Sequence, residues 1–301
     1  MFTPVATAAP ALPGSPTTTW VWTLRPALSA CVRACIVHDA RVLPGAPSLS
    51  YFPASPLCGL TWWFSGPPHW LGRGAALDGP LPEGPGLPAP ASVVVGGPHT
   101  EPSVYRHAGQ PQCLMLLFMA DALHALIGLN LVEHTDRVVD AAQVLPPDWL
   151  AWCQQVLALP DMAARVRCID EFLAPRWAAC RPGPSPHGSR YADWVQHLGQ
   201  RAALSTPGRS LRQLERRIKQ WAGLPLRELR GHGRTEQAFF DVISTHLAGD
   251  KVNWTEVAAD AGYTDQSHLC RVTRRLTGLS PEALRQRVAT DPAFWVYRAW
   301  W

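Results

Sequence analysis

The stretch Asn253-Trp-Thr-Glu-Val-Ala-Ala-Asp-Ala-Gly-Tyr-Thr-Asp-Gln-Ser-His-Leu-Cys-Arg-Val-Thr-Arg-Arg-Leu-Thr-Gly-Leu-Ser-Pro281 decides how this chain is read. Asn253 followed three residues later by Glu256 is a helix-opening signal. Val257, Ala258 and Ala261 give that helix a short apolar stripe. Gly262 stands where a helix-ending left-handed residue is wanted. Asp265 opens a second helix, Gly278 stops it, and Pro281 lies just beyond. Two short helices joined by a glycine turn form the geometry that lays one helix in a DNA major groove.

The second helix has two faces at 100° per residue. With Gln266 at zero, Leu269, Val272 and Leu276 fall at roughly 240–300°, a core face. Gln266, Ser267, Cys270, Arg271 and Arg274 fall at roughly 0–140°, a contact face. Gln and Arg are the side chains that read adenine and guanine edges bidentately. An ordinary amphipathic helix with a solvated polar face has the same periodicity.

The order of residues goes further than the periodicity. Gly262-Tyr-Thr-Asp-Gln-Ser-His-Leu-Cys-Arg with Thr277-Gly-Leu-Ser-Pro closely resembles the second helix-turn-helix of AraC/XylS-type transcription regulators. Leu269 and Thr273 depart from it, standing where that family usually has phenylalanine. Thr273 sits at roughly 340°, beside the apolar stripe, so looser packing is expected beneath this helix. The family carries two such units. Gly208-Arg-Ser-Leu-Arg-Gln-Leu-Glu-Arg-Arg-Ile-Lys-Gln-Trp-Ala-Gly-Leu-Pro225 resembles the recognition half of the first. Leu211, Leu214, Ile218 and Trp221 are its expected inward face, and a preceding helix is expected within Tyr191–Leu204. One helix over Arg234–Ala248, ~22 Å long, is expected to join the units. Recognition helices about one DNA turn (~34 Å) apart then read successive grooves without a dimer.

The resemblance implies a bacterial, cytoplasmic transcription factor of activator type. Its partners are double-stranded promoter or operator DNA, RNA polymerase and a small-molecule effector of unknown identity. By resemblance, the contacts to DNA come from Arg212, Gln213, Glu215, Arg216 and Lys219 in the first unit. In the second they come from Thr264, Gln266, Ser267, His268, Cys270, Arg271, Arg274 and Arg275.

Charge agrees with that division. Residues 181–301 hold 18 Lys+Arg and 11 Asp+Glu, a net of +7, whereas residues 1–180 hold 9 and 12, a net of −3. A DNA-binding half joined to a half with another task is expected. A chain of 301 residues predicts two domains. The expected fold class is α+β: a β-rich amino-terminal domain, cupin-like or an open sheet, with a helical extension, then an all-α double helix-turn-helix domain. The expected segments are a flexible terminus at 1–19, a β-rich domain at 20–130 and a helical extension at 131–181. A linker at 182–187, the DNA-binding domain at 188–289 and an aromatic tail at 290–301 follow. Fragments 1–180 and 187–301 are expected to be separable.

In the first half, Trp20–Leu24, Val32–His38, Leu49–Phe52, Leu60–Phe64, Ser92–Val95, Ser103–His107 and Cys113–Phe118 read as strands. Gly66–Pro90 reads as loop, and Ala120–Ile127, Thr135–Val144, Trp149–Leu159 and Asp161–Ala174 read as helices. The run Phe118–Gly128 with Asp136–Asp140 loosely resembles the amino-terminal domain of one bacterial AraC-type subgroup, implying a sensing or interaction role. Trp20, Trp22, Trp62, Trp63 and Trp70 suit a core or the walls of a small-molecule pocket. Phe294–Trp301 is expected to dock on the protein or on a partner, because an exposed apolar tail invites aggregation.

No enzyme motif is present, so no catalytic residues, cofactor or metal are expected. The eight cysteines lack ligand spacing and read as reduced and buried. The alternative is a metal or cysteine sensor, on Cys31, Cys35 and His38 or on His38, His69, His99 and His107, or an enzyme-like barrel. The first residues lack a signal-peptide pattern. Asp121, His124 and Asn130 interrupt the longest apolar run, so no membrane span is expected.

Overall fold

The computed structural model describes residues 2–12, 18–40, 48–74, 84–107, 109–181, 190–205, 210–247 and 250–300. The expected linker at 182–187 lies outside them. Seven strands form a large antiparallel sheet in the order β1 (Ala6–Ala8), β2 (Thr18–Trp22), β3 (Val32–Asp39), β10 (Gln112–Phe118), β5 (Cys58–Ser65), β8 (Val93–Gly96) and β11 (Val138–Asp140). A second antiparallel sheet runs β4 (Ser48–Phe52), β9 (Ser103–His107), β6 (Pro68–Arg73) and β7 (Leu87–Pro88).

The central strands of the large sheet are apolar on both faces, which is why they read as continuous apolar runs. Leu60 and Trp62 of β5, Val93 and Val95 of β8, and Leu114, Leu116 and Phe118 of β10 belong to one core. That core includes Leu123 of α1 (Ala120–Ile127), Trp149 and Trp152 of α2 (Pro147–Ala158), and Ile169 and Leu173 of α3 (Met162–Cys180). By the period of two, Thr61, Trp63, Val94, Met115 and Leu117 point the other way. These residues line a cavity, which Phe52, Pro68, Trp70, Ser103 and Tyr105 of the small sheet also border.

Three expectations for this half are corrected. Ala6–Ala8, within the segment expected to be flexible, pairs with Trp20–Trp22 as an edge strand. The Gly/Pro-rich stretch contains β6 and β7; Pro68 is tolerated as the first residue of β6, and Pro88 because β7 is a sheet edge. Thr135–Val144 is not a helix. Val138–Asp140 pairs with β8, and a single 3-10 turn follows at Ala141–Gln143. The β-branched pair Val138-Val139 favours the sheet. Asp136, at φ 60, spends its carboxylate on Thr100, accepting from the backbone N at 2.8 Å and from Oγ1 at 2.6 Å.

The carboxy-terminal half is helical: α4 (Tyr191–Leu204), α5 (Leu211–Ala222), α6 (Leu226–Leu247), α7 (Trp254–Asp260), α8 (Gln266–Thr277), α9 (Pro281–Thr290) and the short α10 (Trp295–Arg298). The connecting helix α6 has 22 residues, ~33 Å, longer than the expected ~22 Å. It begins eight residues early and runs through Gly231 and Gly233. A Cβ at Gly233 would sit 3.3 Å from the Ala192 backbone, so the glycine admits the close approach of α4.

The two halves are not separable in their packing. Trp194, Val195, Leu198, Ile218, Ala222 and Leu229 belong to the same continuous core as the large sheet and α1–α3. At the other end of the chain, Trp295, Val296 and Ala299 pack with Ala34, Ile36, Cys113 and Met115 of β3 and β10. The aromatic tail therefore docks on the protein itself. Trp295 stacks on His38 at 3.9 Å and donates its Nε1–H to Ser50 Oγ at 2.7 Å. The buried Arg298 guanidinium closes the turn behind it, donating to the carbonyls of Val288, Asp291 and Pro292.

Candidate nucleic-acid interface and interdomain cavity

The second helix-turn-helix forms as its sequence dictates. Asn253 Oδ1 caps α7 through the Thr255 backbone N at 3.1 Å, and Asp265 Oδ1 caps α8 through the His268 backbone N at 2.7 Å. Gly262 and Gly278 close the two helices in left-handed conformations, at φ 71 and 80. Its own core is small: Ala238 and Val242 of α6, Val257 and Ala258 of α7, then Ala261, Tyr263 and Leu269. The Tyr263 hydroxyl shares a 2.9 Å hydrogen bond with Thr235.

Gln266, Ser267, Arg271, Arg274 and Arg275 of α8 are exposed, as is Thr264 before it. His268 and Cys270 are half-buried. The His268 ring lies edge-on to Tyr263 at 5.2 Å, and its Nδ1 is 3.3 Å from Thr264 Oγ1. On the opposite side, Leu269, Thr273, Leu276 and Thr277 are buried.

In the first unit, Arg212, Gln213, Arg216 and Lys219 are exposed along α5. Gln213 also serves the helix, its Oε1 accepting from the Ser210 backbone N at 3.3 Å in a capping box. Glu215 is half-buried and turned toward the start of α6, where its carboxylate meets the Leu226 backbone N at 3.5 Å. Leu211, expected to face inward, is 82% exposed. It is the first residue of α5, and the inward face begins one turn later with Leu214 and Ile218.

This unit is fixed to the amino-terminal half. Asp121 of α1 accepts from Trp194 Nε1 and from Arg201 Nη1, each at 2.7 Å. Arg201 in turn lies 4.5 Å over the Trp221 ring of α5. Gly223, at φ 73, ends α5 against Thr135, whose Oγ1 donates to the Gly223 carbonyl at 3.2 Å. A Cβ there would come within 2.9 Å of Pro98, so backbone conformation and contact both require glycine.

Sequence reasoning left a small-molecule pocket as one of two readings of the tryptophans, and the structure holds a cavity. About 630 Å³ in volume, it lies between the two sheets and the second helix-turn-helix unit. Trp63, Trp70, Tyr105, Met115 and Phe52 form its sheet side. Phe239 of α6 and Leu269, Thr273, Leu276 and Thr277 of α8 form its helical side. The tryptophan signal split: Trp62 is core, edge-on to Trp152 at 5.4 Å, while Trp63 and Trp70 are cavity wall.

Three of the four arginines at the cavity stand beside a carboxylate; the fourth, Arg137, is exposed and donates to the Glu133 carbonyl at 3.4 Å. Arg33 donates to Glu236 at 3.0 Å, a half-buried ion pair joining β3 to α6, and lies 4.5 Å over the Trp300 ring. Arg285 pairs with Glu282 at 2.6 Å. Arg73 and His99 each stand 3.8 Å from Asp136. His232 of α6, also on the wall, is buried, and burial with the nearby Arg275 charge lowers its pKa to about 4.

Two histidines of the alternative sensor are held in other contacts. His38 shares a hydrogen bond with Thr19 at 3.0 Å, and His107 with Ser50 at 2.9 Å. Burial pushes the Cys35, Cys113 and Cys153 thiols up to about 12, disfavouring the thiolate that metal or redox chemistry uses. Among the described residues no three His, Cys, Asp or Glu side chains gather as a metal site, and no helix is long and apolar enough to cross a membrane.

Residues 206–287 match the helix-turn-helix domain family. The carboxy-terminal domain is an AraC-type DNA-binding domain. The chain is accordingly a DNA-binding transcription regulator, with a β-rich domain preceding its DNA-binding region. Similar solved structures include apo ToxT from Vibrio cholerae carrying one substitution, with 10% identity, 83% of this chain and 95% of that chain covered, and a TM-score of 0.38. ToxT from Vibrio cholerae O395 has 10% identity, coverage of 82% and 98%, and a TM-score of 0.35. ToxT bound to an unsaturated fatty acid has 9% identity, coverage of 79% and 93%, and a TM-score of 0.32. These likenesses are distant. No curated protein matches the chain.

Proposed function

We propose that α5 and α8 read successive major grooves of one asymmetric operator and that a small molecule in the interdomain cavity controls the second of them. The observation that carries this is the division of α8. One side of the helix presents Gln266, Ser267, Arg271 and Arg274 to solvent, and the other presents Leu269, Thr273, Leu276 and Thr277 to the cavity. A group bound in the cavity touches the same rigid element that touches DNA, which is what coupling between two sites requires. At about 630 Å³ the cavity falls within the usual range for small-molecule pockets.

In this reading Arg212, Arg216 and Lys219 of α5 work with Gln266, Ser267, Arg271, Arg274 and Arg275 of α8 at the DNA surface. Thr264 and the capping residue Gln213 lie at the edges of the two faces. The half-buried His268 and Cys270 support the α8 face, and Glu215 positions α6. A single chain suffices, since both recognition helices are in it.

The test is selection of binding sites from a random duplex library with the full chain, repeated with Arg271→Ala. The expected outcome is a motif spanning about two helical turns. Arg271→Ala should relax it at one or two positions, at a cost of ~1–3 kcal/mol. Equal loss of specific and random-sequence binding would remove Arg271 from the reading face.

A further inference from the structure

We infer that Leu211, the first residue of α5, reads a thymine in the major groove by packing on its 5-methyl group. This assignment rests on the reading of α5 and α8 as recognition helices, and it adds one apolar side chain to those that read bases.

The two helices share one register. Each has 12 residues, preceded by the N-cap residue Ser210 or Asp265. Each ends at a left-handed glycine, Gly223 at φ 73 or Gly278 at φ 80. Counted from either end, Leu211 falls on Gln266, Arg216 on Arg271 and Lys219 on Arg274, and all six side chains are exposed. The inward positions coincide too: Ile218 falls on Thr273 and Ala222 on Thr277, and all four are buried. With Leu211 at zero, Lys219, Arg212 and Arg216 lie at roughly 80–140°. Leu211 therefore opens the contact face of α5 as Gln266 opens that of α8.

Leu211 is 82% exposed, more than any other large apolar side chain among the described residues. A lone leucine on a protein surface is ordinary. The place of this one is not, because the first residues of a recognition helix are the ones that reach base edges. Its neighbours Arg212 and Gln213 are exposed with it, so no side chain of the fold covers this end of α5.

The chemistry of leucine selects what it touches. It neither donates nor accepts a hydrogen bond, so it holds neither a phosphate nor the polar edge of a base. The apolar group that the major groove offers is the thymine 5-methyl. Contact between the two removes apolar surface of both from water. At the same position of α8, the Gln266 carboxamide suits adenine. The two halves of the operator therefore differ at this step, thymine under α5 and adenine under α8.

The test starts from the duplex that the full chain selects from a random library. Arg216→Ala and Arg271→Ala should relax different positions, which marks the halves under α5 and α8. Each thymine in the α5 half is then replaced in turn by deoxyuridine, which lacks only the methyl group. One replacement should weaken binding about fourfold, the effect of burying one methyl group. Leu211→Ala should bind the thymine and deoxyuridine duplexes equally, with thermal unfolding unchanged because the side chain is exposed. Leu211→Gln should move the selected base at that pair toward adenine and leave the α8 half as it was.

Deoxyuridine tolerated at every thymine of the α5 half would overturn the assignment and leave α5 as a recognition helix. So would an α5 half without thymine, or a methyl effect that survives in Leu211→Ala. A motif that Arg216→Ala relaxes nowhere would instead take α5 out of the groove, and the reading of two recognition helices would fall with it. The deoxyuridine series needs only the unsubstituted chain, so it decides the methyl contact whatever the variants do.

Discussion

The two helix-turn-helix units of this chain have similar sequences and opposite attachments. The first lies in the continuous core of the amino-terminal half, locked by Asp121 to Trp194 and Arg201 and by Thr135 to Gly223. The second has a small core of its own, borders a cavity, and packs through Leu279, Leu284 and Val288 on Phe294 and Tyr297 of the tail and on Tyr51, Leu71 and Val104 of the small sheet. A reader of DNA with one fixed and one adjustable helix changes its operator affinity when only the adjustable one responds. Close-packed contacts have few alternative arrangements, so mobility concentrates where packing is incomplete.

The strongest way to break this comparison is Trp295→Ala. It removes the stack on His38 and the bond to Ser50, and large-to-small changes at such sites cost ~3–5 kcal/mol. Urea unfolding should register the loss, and hydrogen exchange should rise first in α7, α8 and α9. An equal rise across α5 would mean that the tail does not hold the second unit selectively.

Asp121→Ala probes the other attachment. Breaking a buried charge pair by removing one partner costs about 3 kcal/mol. Because Asp121 lies in the shared core, the whole chain should unfold earlier in one cooperative step, with the first unit unable to loosen separately. A separate early transition confined to α4 and α5 would contradict that.

Acid should distinguish the units too. Burial lowers His38 to about 3 and His107 to about 4, each next to the docked tail, and His232 to about 4 beside the second unit. All three are neutral in the fold and bind protons more readily when unfolded, near pH 6.5. Their stabilisation is complete above pH 6.5 and is lost as pH falls toward 4, at up to ~1.4 kcal/mol per pH unit for each histidine. Thermal melts from pH 7 to pH 4.5 should fall accordingly, with the tail and α8 exposed to exchange before α5. Melts flat over that range would remove the histidines from the account.

The smallest effect concerns the DNA surface. Lys219→Ala in the first unit and Arg274→Ala in the second should each weaken all sequences alike. Each should reduce the slope of log affinity against log salt by about one. A changed sequence motif with Lys219→Ala would move that residue from phosphate contact to base reading.

Much of the second unit was legible because its signals are local. Caps at Asn253 and Asp265 and stops at Gly262 and Gly278 depend on residues a few positions apart, and they fix both helices. The strands of the large sheet were legible from their apolar runs. Other signals misled, each for a long-range reason. The connecting helix was expected only from Arg234 and begins at Leu226, with Gly233 inside it at the close approach of α4. Val138–Asp140 reads as helix until β8 offers an edge. Leu211 reads as core on periodicity, but it begins its helix and faces solvent.

The sequence by itself determined that the last third of this chain is a pair of helix-turn-helix units with basic outer faces. Helix periodicity, capping and charge distribution act over single turns and need no distant partner. Only the tertiary structure decided that the first unit shares the core of the amino-terminal half, that the tail docks back between the sheets, and that a cavity of about 630 Å³ borders α8. Those outcomes depend on side chains from segments far apart in sequence meeting or failing to meet, as Leu276 and Phe52 do across the cavity. No local pattern encodes the space between them.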